Sequence, residues 1–500
     1  MNPSKILDEK SSDAKRGSIR GLFVSFGGQG LCLVIACGQI VVISRLLPPE
    51  LFGVFGMTWA ILSLLYNVKD LGLSTAIVQN LREDQEFLDS AFWLAALGGL
   101  ALALLVAALG PVMAWIYGQP MVMEACFKLA PMFAIGGITS HFQGIMRRRM
   151  QYVRLNIVTV IAQTVGTGGA ILLAIGGRGI DALVFQTLGQ ELTCLVLLPV
   201  FCDWRPKSFS LRSGTSQLTA FGGNLSVFRF VQNLASTMDH VSLGLCTTPA
   251  LVGLYNRAQT LLSTPRRQLV LPLSQVMPTL LARLQKNDEE FAKASENIVG
   301  ASSYVWYSFL AIVIAIPNPV LNLILGDQWD GAALIMQLLA VGEMARLPLM
   351  MVNMAETQLG HTKSLRNFGL LSAPLTAGGL LFGAWLGGEA HGALTMAVAY
   401  AILQTGLLVL RLFQIRGDTP FTPIRMMKAL CGPLLFGAAL AICFHLGAIP
   451  LAKYGSFLQI ASALLSGGIF FAAVLAFSAK ARGRLANALN EIRGAFRRRT

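Results

Sequence analysis

Charge is scarce in this sequence. Asp, Glu, Lys and Arg make up 13% of its 500 residues, against roughly 25% in a soluble domain. That excludes an ordinary water-soluble globule. The five histidines, His141, His240, His361, His391 and His445, are scattered singly, so no zinc-type ligand set is in view. The eight cysteines lack metal-type pairs and lie mostly in apolar runs. They read as small buried hydrophobes, not as a disulfide framework. No nucleotide-binding phosphate loop occurs, which argues against direct ATP hydrolysis. No connection is long enough to fold as a soluble catalytic domain. The expectation is a protein that is not an enzyme, with no cofactor, no metal and no nucleic-acid partner.

What is there is apolar. Such residues form 54% of the chain, and runs near the ~20-residue spanning length recur from Gly21 almost to Ser478. The reading is an all-α polytopic membrane protein of about fourteen transmembrane helices. They centre near residues 33, 60, 104, 133, 165, 191, 231, 266, 311, 345, 377, 403, 437 and 468. The polar first twenty residues lead straight into the first span and are not a cleavable signal.

The connections alternate in charge. One set holds Lys5 to Arg20, Arg82, Arg147 to Arg149 with Arg154, Arg205 to Arg212, Arg283 to Lys293, Lys363 with Arg366, Arg411 to Lys428, and the tail from Lys480 to Arg499. The other set holds only Arg45, Arg178 and Lys453. Under the positive-inside rule both termini are cytoplasmic. The basic tail is either an amphipathic helix on anionic lipid or a topology signal alone.

Residues 220–285 carry the most unusual pattern. Arg229, Asn233, Ser236 and His240 fall at i, i+4, i+7 and i+11, with Gln232 and Asp239 at the edge of the same helix face. A polar stripe on an apolar helix implies water or a polar guest on that side. The region also echoes the N-terminus. PELFGVF at Pro49 to Phe55 returns as PALVGLY at Pro249 to Tyr255, and FGGQ at Phe26 to Gln29 returns as FGGN at Phe221 to Asn224. Diverged duplication explains this, as in many transporters. Chance likeness between Gly- and Pro-rich helices is the alternative.

Seven cations lie inside spans: Lys69, Lys128, Arg229, Arg257, Arg266, Arg267 and Arg346. At roughly 2.5–3.5 kcal/mol each, they total on the order of 20 kcal/mol, above the ~5–15 kcal/mol of a typical fold. They are therefore paired, near an end, or facing water. Glu124 stands four before Lys128 and Glu343 three before Arg346, so each pair shares a helix face. Arg266 and Arg267 either snorkel towards the cytoplasm or face inward. Further stripes run through Trp59, Ser63, Tyr66 and Asp70; Ser25, Gln29 and Gln39; Asn156, Thr159, Gln163 and Thr167; and Arg346, Asn353 and Thr357. Any one stripe is explained by interhelical hydrogen bonding. Several together, with surplus positive charge, favour a wet cationic cavity suited to an anionic guest.

At these residues the chain resembles a known family. LLPPELFGVF and the following DLGLSTAIVQ (Asp70 to Gln79) are similar to the first motif block of bacterial polysaccharide and O-antigen flippases, in the colanic-acid branch. Those belong to the multidrug/oligosaccharidyl-lipid/polysaccharide (MOP) exporter superfamily. Asp239, Gly253, Tyr255, Arg257, Ala258, Pro265, Pro278, Arg283 and Gln285 resemble a later block. Thr237 and Leu245 depart from it, where an asparagine and a basic residue are expected.

The resemblance implies two pseudo-symmetric six-helix lobes, 1–212 and 213–415, then helices thirteen and fourteen in 416–480, and a basic cytoplasmic tail, 481–500. It implies a protein of the bacterial inner membrane that moves an undecaprenyl-diphosphate-linked oligosaccharide by alternating access, for surface polysaccharide. The diphosphate would meet Lys69, Arg229, Arg257, Arg266, Arg267 or Arg346. Gln29, Asn156, Gln163, Asn233, Ser236, His240 and Asn353 would line the path. Asp70, Asp239 and Glu343 are candidates for coupling to H+ or Na+. Partners would be membrane lipids and polysaccharide polymerase or export machinery. A peptidoglycan-precursor flippase or a multidrug exporter of the same superfamily is the alternative, although a cationic drug wants an acidic cavity. A membrane polymerase or ligase is a further rival, disfavoured by the small outward loops.

Overall fold

The computed structural model describes residues 30–66, 69, 85–209, 237–285, 287–415, 422–451 and 455–477. The structure is helical throughout, with no strand among the described residues. The helices are α1 (Gly30–Leu46), α2 (Pro49–Tyr66), α3 (Gln85–Tyr117), α4 (Pro120–Leu129), α5 (Pro131–Arg148), α6 (Tyr152–Ile175), α7 (Gly179–Phe201) and α8 (237–246). They continue as α9 (Pro249–Leu284), α10 (Asp288–Ala315), α11 (Pro317–Ile324), α12 (Ala333–Gln358), α13 (Thr362–Gln414), α14 (Pro423–Ala448) and α15 (Ser456–Phe477), with a 3₁₀ turn, Asp327–Ala332, before α12.

Proline sets many of these starts. Pro49, Pro120, Pro131, Pro249, Pro317 and Pro423 each open a helix, where the missing N–H costs nothing and the fixed φ is already helical. Asn287 and Thr422 cap α10 and α14 by accepting from Glu290 N and Arg425 N. Every span centre expected from the sequence falls in one of these helices, except that near residue 231, which lies outside the described residues. α13 carries two expected centres in 53 residues, and Gly388 breaks it with φ 57° and ψ −156°. Only glycine adopts that conformation without strain.

Nine described helices or helix pairs are long and apolar enough to cross a membrane. Their outer faces keep large apolar groups exposed, among them Trp115, Leu172, Leu370 and Leu435. On a chain of this apolarity such faces meet lipid. α9 falls short of that apolarity because Arg257, Arg266, Arg267 and several amides lie along it.

The chain divides into two compact units, Met1–Gly253 and Leu254–Thr500, the division falling early in α9. In the first, α6 packs on α7 and α3 on α5. An aromatic-rich core of Phe87, Phe92, Phe142 and Trp204 closes one end. In the second, α10 packs on α14, α12 on α13 and α14 on α15.

The repeated motif has a structural counterpart. A Cβ on Gly53 would fall on the Pro249 carbonyl, and a Cβ on Gly253 on the Pro49 carbonyl. Each copy of the motif thus uses its glycine to admit the backbone of the other copy's proline. Small residues permit such close helix approach in membranes.

Candidate functional site: two buried carboxylates and their cations

In the first unit, Glu191 is drawn into α7 and buried. Its Oε1 accepts from Lys69 Nζ and from the Tyr66 hydroxyl, each at 2.7 Å, and its Oε2 accepts from Thr139 Oγ1 at 3.0 Å. Lys69 also lies over the Tyr66 ring, 3.8 Å from its centroid. Gly136 on α5 makes room, since a Cβ there would press on Lys69 Cδ at 2.7 Å. An unpaired carboxylate or ammonium at this depth would be costly, and the pair with its hydrogen bonds removes most of that cost.

The second unit repeats the chemistry with different residues. Glu343 on α12 is 3% exposed. Its Oε1 binds Arg266 of α9 and accepts from the Tyr400 hydroxyl of α13 at 2.6 Å. Arg346, one turn along α12, stands 3.6 Å from the same oxygen and donates to Tyr400 at 2.9 Å. Glu343 and Arg346 therefore meet as their i, i+3 spacing expects. Gly342 leaves the space that Tyr400 fills. Trp306 Nε1 and the Tyr307 hydroxyl tie α10 to the carbonyls of Glu343 and Met344. Arg267 is exposed and within electrostatic reach of Arg266 and Arg346.

A third pair lies at the end of α12. Arg411 and Glu356 are both wholly buried and bonded to each other. Arg411 also donates to Asn353 at 3.0 Å, and to Ser364 and Gln414, and its guanidinium carbon stands 4.7 Å from the Phe368 ring centroid.

The polar stripes resolve into specific contacts. Gln163 donates to the Cys32 carbonyl at 2.9 Å and Thr167 to Gln39 at 3.0 Å, so the stripe of α6 binds that of α1. Asn156 is half-buried on α6. Asn353 serves Arg411 rather than Arg346. Asp239 is buried on α8 and accepts from the His240 backbone N–H. Arg257 is half-buried on α9 and engaged in contacts there. Lys128 binds Glu124 and also Asp181, a partner its sequence neighbours do not suggest. Gln29, Asp70, Arg229, Asn233 and Ser236 lie outside the described residues.

Sequence reasoning missed Glu191, Glu356 and Tyr400, and placed Arg411 at a helix end as a topology charge. A signal existed. Glu191 and Glu356 stand in apolar surroundings, and a buried acid is as costly as a buried base.

The polysaccharide biosynthesis protein family matches residues 42–334. That is more than half of the chain. The chain belongs to this family. Glu191, Arg257 and Arg266 fall within the matched stretch, while Glu343, Arg346 and Tyr400 lie beyond it. The chain is 22% identical to the teichuronic acid biosynthesis protein TuaB of Bacillus subtilis over 55% of its length and 57% of that protein's. It is 22% identical to the succinoglycan biosynthesis transport protein ExoT of Rhizobium meliloti over 73% of its length and 74% of that protein's. The match thus spans less than two thirds of TuaB.

Among solved structures, the inward closed lipid II flippase MurJ superposes with a TM-score of 0.67 at 14% identity, covering 91% of this chain and 99% of that one. At that identity the likeness establishes the fold, which is the fold of MOP-superfamily transporters. The family inferred from the motif blocks at Asp70 to Gln79 and Asp239 to Gln285 is therefore correct.

Proposed function

We propose that this family member is a flippase that moves a lipid-linked oligosaccharide across the bacterial inner membrane for surface polysaccharide. The cargo is an undecaprenyl-diphosphate-linked repeat unit, and alternating access moves it. The relatives' roles in teichuronic acid and succinoglycan biosynthesis support the class of cargo. The observation that carries the reading is the density of arginine on one membrane helix. Arg257, Arg266 and Arg267 lie on α9, and Arg346 of α12 joins the same cluster through Glu343.

Such a cluster suits a diphosphate, because guanidinium groups bind phosphate oxygens in forked pairs. Lys69 and Arg266 already hold carboxylates, so they serve the cargo only if it displaces Glu191 or Glu343. Arg257, Arg267, Arg346 and Arg229 are the first candidates for direct contact. The sugars would meet Asn156, Gln163 and His240. The lobes are 1–212 and 213–415, with both termini cytoplasmic. H+ or Na+ couples the cycle through Asp70, Asp239 or Glu343.

The test is transbilayer movement in proteoliposomes holding the purified full chain and an undecaprenyl-diphosphate oligosaccharide. Arg257→Ala and Arg229→Ala should each abolish movement, and surface polysaccharide in cells, with protein abundance unchanged. Full movement in both variants would remove these arginines from the path. Movement of lipid II in preference to the oligosaccharide lipid would move the protein to the peptidoglycan branch.

A further inference from the structure

The corner between α5 and α6 holds an arginine run and a strained residue that the transport reading does not use. α5 ends in Arg147 and Arg148, Arg149 follows, and α6 opens at Tyr152. Gln151 N donates to the Met146 carbonyl at 2.8 Å and Met150 N to the Arg147 carbonyl at 3.1 Å. Those two bonds form the helix stop that ordinarily carries a left-handed glycine at its penultimate position. Met150 stands there, with φ 54°, the one non-glycine residue of positive φ among the described residues.

A long side chain in that conformation is unfavourable. It is also 73% exposed, so no packing within the protein compensates. Tyr152 and Val153, at 43% and 37% exposure, continue the apolar surface. In water each of these features counts against the fold. At a membrane interface the methionine and tyrosine would bury their apolar atoms in lipid, and the cost is offset.

The cations beside them are arranged to match. Asp203, the nearby acid, is already engaged: it accepts from Gln151 at 3.1 Å and pairs with Arg154 at 3.3 Å. The Gln151 bond and the charge of Arg154 hold its carboxyl below the usual carboxylate range, so it stays anionic and satisfies Arg154. No carboxylate lies within ion-pair distance of Arg147 or Arg149 among the described residues. Arg148 and Arg149 share an open recess of about 220 Å³ whose floor is Leu88 and Ile145. Two guanidinium groups over an apolar floor, beside an outward-facing methionine and tyrosine, match a phosphate ester carrying acyl chains.

We propose that this corner is a binding site for an anionic phospholipid. The headgroup phosphate binds Arg148 and Arg149, and the acyl chains cover Met150 and Tyr152. The site would hold one end of the α5–α6 pair at the membrane surface, whatever the cargo.

The experiment is the thermal midpoint of the full chain in neutral detergent, titrated with phosphatidylglycerol, phosphatidylcholine or inorganic phosphate. Phosphatidylglycerol should raise the midpoint by several degrees, and the other two should not. Arg148→Gln with Arg149→Gln should remove at least half of that rise. Met150→Gly should raise the midpoint in detergent alone, by relieving the backbone, yet shrink the rise from phosphatidylglycerol. If the double variant does not fold, Arg149→Gln alone carries the test, because Arg149 has no ion pair to lose. A full response in Arg149→Gln and Met150→Gly would overturn the proposal. So would an equal rise from phosphatidylcholine or from phosphate. An unchanged lipid response, with these variants instead losing co-purification of another membrane protein, would make the corner a protein interface.

Discussion

The Tyr400 hydroxyl donates to Glu343 at 2.6 Å, on the same carboxylate oxygen that binds Arg266. The other oxygen, Oε2, is buried without a hydrogen-bond partner among the described residues. Glu191 differs. Both of its oxygens are engaged, by Lys69 and Tyr66 on one and Thr139 on the other. Two similar groupings of carboxylate, cation and phenol thus differ in one respect, since the first is closed and the second has an oxygen to spare.

Breaking a buried pair strands a charge, and such losses run to about 3–5 kcal/mol. Glu343→Gln should therefore lower the detergent melting midpoint sharply. Arg266→Gln alone should do the same, and the double variant should lose much less than the sum. A double-mutant cycle on the three proteins measures the coupling. Additive losses would show that the pair contributes no stability.

Tyr66→Phe removes a hydrogen bond from Glu191 while Lys69 and Thr139 remain. The expected loss is about 1 kcal/mol. Lys69→Met should cost several times more, because it leaves Glu191 charged and buried. Thermal unfolding of the two variants in the same detergent gives the ratio. Equal losses would mean that Lys69 is solvated and not acting as the counter-ion.

The Pro–Gly motif predicts a loss from the smallest of substitutions. Gly53→Ala and Gly253→Ala each set a methyl on a backbone carbonyl of the opposing motif. Backbone cannot yield as a side chain does, and overpacking of this kind costs roughly 1–3 kcal/mol. Either variant should reduce folded protein, whereas Gly168→Ala, whose added Cβ meets open space, should be neutral. Purification yield and melting midpoint of the three variants check this.

Much of this was legible in the sequence, and the gaps have a common cause. Apolar run length marks membrane helices well, because a span needs a nearly fixed number of apolar residues. The motif PELFGVF and its echo were readable because proline and glycine report backbone requirements that survive divergence. The pairing of Arg266 with Glu343 was not, because the two residues are 77 apart on different helices and helical phase alone does not choose partners. Counting the cations of each span without its acids hid Glu191 and Glu356. The rule that basic residues mark helix ends then claimed Arg411, whose long side chain in fact turns inward. The polar stripe of α6 contained too little information to separate a cavity lining from a helix contact, and Gln163 and Thr167 proved to bind α1.

Arg411 offers the clearest separation of stability from transport. Its Nε donates to Asn353, one terminal nitrogen to Ser364 and Gln414, and the other to Glu356. Lysine carries the same charge but not the fork, so it can satisfy Glu356 only by abandoning the other acceptors. Arg411→Lys should therefore be clearly destabilising, and Arg411→Met worse, because it leaves Glu356 charged at zero exposure. Replacing both partners, as Arg411→Met with Glu356→Met, should recover most of the loss, since no charge is then buried. The readouts are melting midpoint and lipid-linked oligosaccharide movement on the same preparations. If the pair only holds α12 to α13, movement per folded molecule should survive in the double variant. A stable double variant that no longer moves its lipid would instead place the pair in the transport cycle.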